Sequence, residues 1–598
     1  MNAQTVFQRF EATARRVTNE RRNAPFLHVL EETADNYGIE AGDITYATML
    51  SQVQNRATQF ADKGYGPGHR VGLLLENRPL FLEIWLALNS IGVSVVPINA
   101  DLRVAELEYL IEHSEMVLAI VLADRIAEVR QAIGNAGLST PAITATDDLP
   151  VPSKPREQLP RRQQQNDRNV CGRVRPTGLV SHVGTNQLPT GSTQPEQEIN
   201  TPSDSMSECA LLYTSGTTGK PKGCILSNEY FLHSGDWYAQ SGGHISLQKD
   251  CERMITPLPL FHMNAMAVSV TAMITVGGCL ILLDRFHPRS WWQSVQKSRA
   301  TVVHYLGVMP SMLMAAEPSA DDSQHSVRFG FGAGVDKKLP AAFEKRFGFA
   351  LIEAWACTET GSGAVISAHE EPRHVGTSCF GRVCRDVELR VIDDTGADVA
   401  TGTAGELLVR RAGDNPRYGF YSGYLKNSQA TAELWKGGWL NTGDVVQQNT
   451  DGSLHFIDRK KNVIRRSGEN IAAVEVESIL NRHPDIAMCA AGSAPDELRG
   501  EEVAVFVVLH RSPGNNTGAK LASESAAEKV NDQRAFEIVQ WALEQMAYYK
   551  APGWIAFIDK LPVTATQKLL RGELKTLLAE TLAADEFIDT RHLKKRRV

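Results

Sequence analysis

The chain of 598 residues has no Cys-x-x-Cys pair, and its nine cysteines are odd in number and scattered. That gives no indication of a disulfide framework or a zinc site, and it fits reduced cytosol. Positive charge is not in surplus either: 62 Lys and Arg against 69 Asp and Glu give a net charge of −7. Without a basic footprint, neither nucleic acid nor an anionic membrane surface is an expected partner. The segment from Met1 to Ala12 lacks the apolar core of a signal peptide. One uncharged run rich in apolar residues, Ala265 to Leu283, carries Ser269, Thr271 and Thr275 and is broken by Gly277-Gly278. A buried helix, a turn and a buried strand explain it more simply than a membrane span. With 42% hydrophobic and 22% charged residues, the chain reads as a soluble cytoplasmic enzyme of more than one domain.

What is present centres on Leu211 to Gly223, which reads Leu-Leu-Tyr-Thr-Ser-Gly-Thr-Thr-Gly-Lys-Pro-Lys-Gly. A short apolar strand runs into a loop in which Gly216 and Gly219 free backbone N–H groups to converge on an anion. Thr214, Ser215, Thr217 and Thr218 add donors, and Lys220 and Lys222 add charge. An ordinary surface turn accounts for any five of these residues and poorly for all of them. The loop is not a Walker A motif, which needs Gly where Thr214 stands and Ser or Thr where Pro221 stands. Pro221 restrains Lys220 away from helical backbone, so the chain should continue extended after the loop.

Around this loop the pattern is that of a layered α/β protein. Thr45 caps a helix with Met49, Val53, Ala57 and Phe60 on one face and Gly64 as its stop. The apolar runs Val71 to Leu75 and Val93 to Pro97, separated by a helix that starts at Pro79, predict strand, helix, strand with buried strands. Val117 to Leu122, Thr301 to Leu306 and Val327 to Phe331 read as further strands, the last leading into a small-residue turn, Gly332-Ala333-Gly334. Residues 150–208 turn to Pro, Gln, Arg, Ser and Thr and are expected to be a disordered insertion.

Further motifs follow in order: Thr256 to His262; Glu353-Ala-Trp-Ala-Cys-Thr-Glu-Thr-Gly361; Tyr421 to Asn427 with Gly438 to Asp444; Ile457 to Ile471; and Leu561 to Arg571. With the loop at Thr214, this series resembles the adenylate-forming (AMP-binding) superfamily of acyl-CoA synthetases, peptide-synthetase adenylation domains and beetle luciferases. Arg466-Ser-Gly-Glu-Asn-Ile-Ala, Gln567-Lys-Leu-Leu-Arg-Gly-Glu-Leu and the tail from Asp589 are similar to its crotonobetaine/carnitine-CoA ligase-like members.

The resemblance implies a large N-terminal domain of mostly parallel sheets with helices over residues 1–457. A hinge at 458–462 and a small mobile α+β domain at 463–598 complete it. It implies that Thr214 to Lys220 holds the ATP phosphates and that Gly332, Ala333, Gly334, Glu353, Ala354 and Trp355 surround the base. Thr358 would touch the α-phosphate, Glu359 with Thr214 would hold Mg²⁺, and Asp444 with Arg459 would bind the ribose. His262, Met263, Asn264 and Tyr305 would border the acyl group. Lys461 occupies the hinge position, and Ser467, Gly468 and Glu469 the CoA-thiol tunnel. Lys568 would bridge the carboxylate and the α-phosphate as the catalytic lysine, although Gln567 precedes it where the family usually has Gly.

The implied reaction is adenylation of a carboxylic acid by ATP, then transfer of the acyl group to CoA. Only thirty residues follow Lys568, fewer than the ~50 of a small domain, so CoA is expected as acceptor in preference to a fused carrier protein. An adenylation-only ligase serving a separate carrier, and a non-catalytic nucleotide-binding homologue, are the rival readings. The second predicts losses at Thr358, Glu359 or Lys568, and all three are present. The sequence does not fix the acid or the oligomeric state, for which a homodimer is one option.

Overall fold

The computed structural model describes residues 3–153, 204–214, 220–459, 463–510, 524–562, 569 and 571–595. Among these, the strands form three sheets in a large domain and one in a small domain. The apolar runs near the amino terminus become the strands Arg70–Leu74, Ser94–Pro97 and Leu118–Val121, buried throughout and paired in parallel. The helix Pro79–Ser90 has proline in its first turn, and Tyr46–Asp62 is capped by Thr45, whose hydroxyl accepts from the Thr48 N–H. A second, eight-stranded sheet carries Arg253–Thr256, Cys279–Leu282, Val302–Leu306, Phe329–Ala333 and Ala350–Trp355 in parallel. One hydrophobic cluster joins all three sheets of the large domain.

Three expectations are modified. The third sheet, built from Val387–Ile392, Ala404–Arg411, Trp439–Gln448 and Leu454–Arg459, is antiparallel, because short connections let its strands double back. The uncharged run from Ala265 is a helix, a turn at Gly277 and the strand Cys279–Leu282, but the helix begins with a π segment, Asn264–Val270. Among the described residues no helix is long and apolar enough to cross a membrane. The expected insertion lies outside the described residues except at its flanks, which pack onto the large domain. The Tyr65 hydroxyl donates to the Pro150 carbonyl at 3.1 Å, and Glu208 opens the strand Glu208–Thr214 while accepting two 2.7 Å bonds from Arg70.

The chain leaves the third sheet at Arg459 and enters the small-domain sheet at Val463. Alternation along Gly500–Leu509 divides the small domain into two layers. Val503, Val505 and Val507 pack on the helices Ala473–Leu480 and Glu524–Gln545, while Ala504 and Phe506 pack towards Arg571–Ala583.

The two domains meet through a buried ion triad. Lys550 of the small domain donates to Glu106 at 2.6 Å and to Glu475 at 2.7 Å, and all three side chains are buried. Glu106 sits in the first turn of the large-domain helix Val104–Ser114. Its second oxygen takes the N–H groups of Arg103 and Ala547, both at 2.9 Å. Beside it, the Asn99 amide donates to the Tyr549 hydroxyl at 3.0 Å. Burial alone would lower the Lys550 ammonium, but the two carboxylates raise it well above the ordinary lysine range.

Removing one member of a buried ion cluster costs roughly 3–5 kcal/mol, because the remaining charges stay desolvated and unpaired. Lys550→Met should therefore release the small domain, read as faster tryptic cleavage at Lys460-Lys461. Adding Glu106→Gln to that variant should restore part of the protection. Unchanged cleavage in the single variant would show that the triad does not hold the domains together.

Candidate active site

Thr214 ends the strand Glu208–Thr214 and pairs in antiparallel register with Lys222, the first residue of Lys222–Ser227. The chain thus continues extended after Pro221, held by the ladder with Glu208–Thr214. Ser215, Gly216, Thr217, Thr218 and Gly219 lie outside the described residues. On the near flank of the loop, the Tyr109 hydroxyl donates to the Pro221 carbonyl at 2.9 Å, and the Lys220 ammonium lies 5.1 Å from the Tyr109 ring centre. Lys222 lies 5.0 Å from the ring centre of Tyr424. The two lysines serve different spaces: Lys222 lines the main cavity and Lys220 an adjoining cleft.

That main cavity, of about 290 Å³, brings together more than half of the described residues singled out in the sequence. Thr214, His262, Met263, Asn264, Gly332, Ala333, Ala354, Thr358, Glu359 and Asp444 line it from the large domain, and Gly468 from the small one. Of the described residues expected around the nucleotide and acyl group, Lys220, Tyr305, Gly334, Glu353 and Trp355 are not in its wall. Along Ala350–Trp355 side chains alternate, so Ala354, and Ala356 just beyond, face the cavity while Glu353 and Trp355 turn away. The Trp355 indole N–H instead donates to Asp444 at 2.8 Å, behind the wall. Tyr305 is buried one layer deeper and donates to Glu353 at 2.8 Å and to the Ile352 carbonyl at 3.2 Å.

The expected turn at Gly332-Ala333-Gly334 also begins later. Gly332 and Ala333 end the strand Phe329–Ala333, and only Gly334 has a positive φ, +83°. A Cβ on Gly332 would stand 2.2 Å from the Tyr305 carbonyl oxygen, so packing against the neighbouring strand demands this glycine. Glu353 then secures the turn, accepting from the Gly334 N–H at 2.8 Å as well as from Tyr305. Burial pushes its carboxyl up to about 7 despite these bonds.

Glu359 accepts a 2.6 Å bond from the Tyr424 hydroxyl, and Tyr230 donates to the Thr358 carbonyl at 3.0 Å. Burial first, then the Glu359 carboxylate, raises the Tyr424 phenol far above its ordinary range, so it stays a donor. Among the described residues no group of three or more His, Cys, Asp and Glu is placed to hold a metal. A hard cation here would meet the Glu359 carboxylate and the hydroxyl of Thr214, while Asp444, which lines the same cavity, is tied to the Trp355 indole. This fits Mg²⁺, which keeps several waters and takes phosphate oxygens for the rest. Asp444 stands opposite Arg459 in the pairing of Trp439–Gln448 with Leu454–Arg459.

The small domain reaches the cavity through the turn between Val463–Arg466 and Glu469–Ala472. Ser467 and Gly468 there have φ of +51° and +90°. The φ of Gly468 is one that favours glycine, and a Cβ there would also displace the Leu306 side chain, 2.1 Å away. Glu469 faces His262 at 3.3 Å, and Ser467 lines an adjoining cavity of about 440 Å³ with Tyr548 and Tyr549. Arg466, just before the turn, is buried and held by Glu502, which also pairs with Lys594 near the carboxyl terminus. Lys461 and Lys568 lie outside the described residues. Sequence reasoning missed Trp237, Phe331, Arg465 and Asn470, which also line the main cavity. Trp237 and Phe331 read as ordinary core aromatics in a helix and a strand, and nothing local distinguishes them.

The AMP-binding enzyme family matches residues 17–425, and the AMP-binding enzyme C-terminal domain matches residues 475–568. A crotonobetaine/carnitine-CoA ligase of Escherichia coli is 28% identical over 535 residues, 89% of this chain and 93% of the relative. Among solved structures, an o-succinylbenzoate CoA synthetase from Bacillus subtilis superposes with a TM-score of 0.71 at 21% identity. The match covers 94% of this chain and 98% of that one. An amide bond synthetase from Marinactinospora thermotolerans gives 0.69 at 22% identity, covering 94% and 99%. At these identities the structural likenesses speak to the fold.

Glu353 holds its proton to about pH 7 in the folded protein, against an ordinary value of 4.5. A carboxyl raised in this way contributes its full stability below pH 4.5 and loses it as pH rises through 7. Thermal unfolding of Glu353→Gln should therefore depend less on pH between 5 and 7.5 than that of the parent. Parallel Tm curves would disprove the assignment.

Proposed function

Because the chain belongs to the AMP-binding enzyme family, matched over residues 17–425, we propose that it is an ATP-dependent acyl-CoA ligase. The carboxylate of an acid attacks the α-phosphorus of ATP, forming acyl-AMP and releasing pyrophosphate. The CoA thiol then attacks the acyl carbon, forming the thioester and releasing AMP. The observation that carries this reading is one cavity in which Thr214, Thr358, Glu359 and Asp444 meet Gly468 from the other domain. A likeness to crotonobetaine/carnitine-CoA ligase along 89% of the chain supports CoA as the acceptor.

Both reactants of the first step are anions, so catalysis rests on positioning and charge neutralisation. The loop that begins at Thr214 and ends at Lys220 would take the outer phosphates, with Lys222 on the same wall. Asp444 and Arg459, opposite one another across two strands, are suited to the two ribose hydroxyls. Ala333, Ala354 and Ala356 leave room for a flat base. Glu359, held by Tyr424, would carry Mg²⁺, which supplies charge neutralisation at the phosphates when bound. Lys568 would bridge carboxylate and α-phosphate as a flexible point charge. The Ser467 to Glu469 turn, lying against Leu306 and His262, suits the thiol-transfer arrangement of the two domains, with the change between arrangements turning at Lys461. All eight described cysteines are free thiols, which supports a reducing compartment such as the cytoplasm.

The test is pyrophosphate release across a panel of carboxylic acids, with and without CoA, with products identified by mass. An acid-dependent CoA thioester is expected. Acyl-AMP that accumulates despite CoA would favour a carrier-protein acceptor, and absence of turnover with bound ATP would favour a non-catalytic homologue. Lys568→Ala should lower adenylation by about 10²–10³-fold, as removal of one transition-state charge contact does. It should affect thioester formation from supplied acyl-AMP far less; equal loss of both half-reactions would refute the role.

A further inference from the structure

Behind the wall of the main cavity lies a buried polar relay that none of the roles above uses. The Tyr238 hydroxyl is 3.0 Å from His304 Nε2, and His304 Nδ1 is 2.7 Å from the Ser269 hydroxyl and 3.2 Å from Asn264 Oδ1. Tyr238, His304 and Ser269 are buried, whereas Asn264 is half-buried and lines the cavity. His304 stands opposite Phe331 in the pairing of Val302–Leu306 with Phe329–Ala333, and Phe331 is itself a cavity residue. The relay therefore lies directly beneath the apolar part of the cavity, formed by Trp237, Met263, Val268 and Phe331.

A count of protons fixes its direction. A buried phenol must donate, and Tyr238 has no acceptor among the described residues other than His304, so Nε2 accepts. The imidazole is neutral, since burial pulls it down to about 3, and its single proton must then sit on Nδ1. Ser269 spends its own proton on the Asn264 carbonyl at 3.1 Å, five residues back along the π segment. Nδ1–H is therefore the donor to both the Ser269 oxygen and Asn264 Oδ1. With its oxygen occupied from behind, Asn264 presents its amide N–H₂ at the cavity wall, and that nitrogen has no partner among the described residues.

We propose that Asn264 is a specificity-determining residue, oriented by Tyr238, Ser269 and His304 to donate a hydrogen bond to an acceptor oxygen in the tail of the acyl substrate. The inference rests on the ligase reading above and narrows its substrate class to carboxylic acids carrying a hydroxyl, oxo or ether oxygen on an otherwise apolar chain. A site built to hydrogen-bond a substrate rejects the analogue lacking that group strongly, because the protein donor is left desolvated and unpaired.

The experiment compares kcat/KM of the full-length enzyme, by pyrophosphate release, for straight-chain acids of four to ten carbons and for their hydroxy, oxo and ether counterparts. The parent enzyme should prefer an oxygenated acid over its matched parent acid by about 10²-fold or more. Asn264→Leu should bring that ratio to within a few-fold of unity. Asn264→Asp, which replaces the donor by an acceptor, should keep hydroxy acids and lose oxo and ether acids. His304→Leu, acting through orientation, should lower the ratio less than Asn264→Leu does. AMP binding by calorimetry reports that each variant is folded. Turnover of acids without preference for oxygen, or an unchanged ratio in Asn264→Leu, would overturn this inference alone. Absence of turnover with every acid, while AMP still binds, would overturn the ligase reading and this inference with it.

Discussion

The arrangement of the two domains depends on Lys550. Its ammonium is buried between Glu106 of the large domain and Glu475 of the small one, and its neighbour Tyr549 takes a hydrogen bond from Asn99. Buried charge is costly unless every member is paired, so such a cluster tolerates few relative positions of the bodies that share it. It thereby fixes where the Ser467 to Glu469 turn can reach, which is the mouth of the cavity beside Leu306 and His262. A hydrophobic contact of the same area would permit sliding; an ion triad with defined geometry does not.

A second constraint operates inside the large domain. The cavity is walled by small residues, Gly332, Ala333, Ala354 and Ala356, at the ends of parallel strands. Small side chains make room but hold nothing in place, so rigidity has to come from the layer behind. Glu353, tied to Tyr305 and to the Gly334 N–H, and Trp355, tied to Asp444, supply it. Along Ala350–Trp355 the alternation of a β-strand separates the two tasks: Ala354 faces the cavity while its neighbours Glu353 and Trp355 brace the wall.

That alternation explains much of what the sequence could and could not reveal. Periodicity and end signals located the helix capped by Thr45, the Pro79 helix and the buried parallel strands, because those features are local. Order and spacing of motifs likewise located Thr214, Thr358, Glu359 and Asp444, which the fold gathers into one cavity. Facing was not legible in the same way. Glu353, Ala354 and Trp355 are contiguous in a motif, and only the strand's register decides that Ala354 alone of the three meets the cavity. Trp237, Phe331 and Arg465 come from elements far apart in the chain, and no single-sequence pattern marks them as neighbours of the site. The π segment at Asn264 was hidden too, since one extra residue per turn leaves no clear trace in an uninterrupted apolar run.

The polar groups around the cavity differ in how free they are to respond. Lys222, Glu359 and Asp444 line it where charge has to be met by charge, and water or substrate can adjust the balance. Tyr238, Ser269 and His304 sit where water does not reach, so their hydrogen bonds can be satisfied in one direction only. A network of that kind carries information through its proton order in addition to its shape. Reversing one donor would strand a buried phenol proton or an imidazole lone pair, at about 1–3 kcal/mol each. The polarity of Asn264 at the wall is therefore set by residues that never touch a ligand.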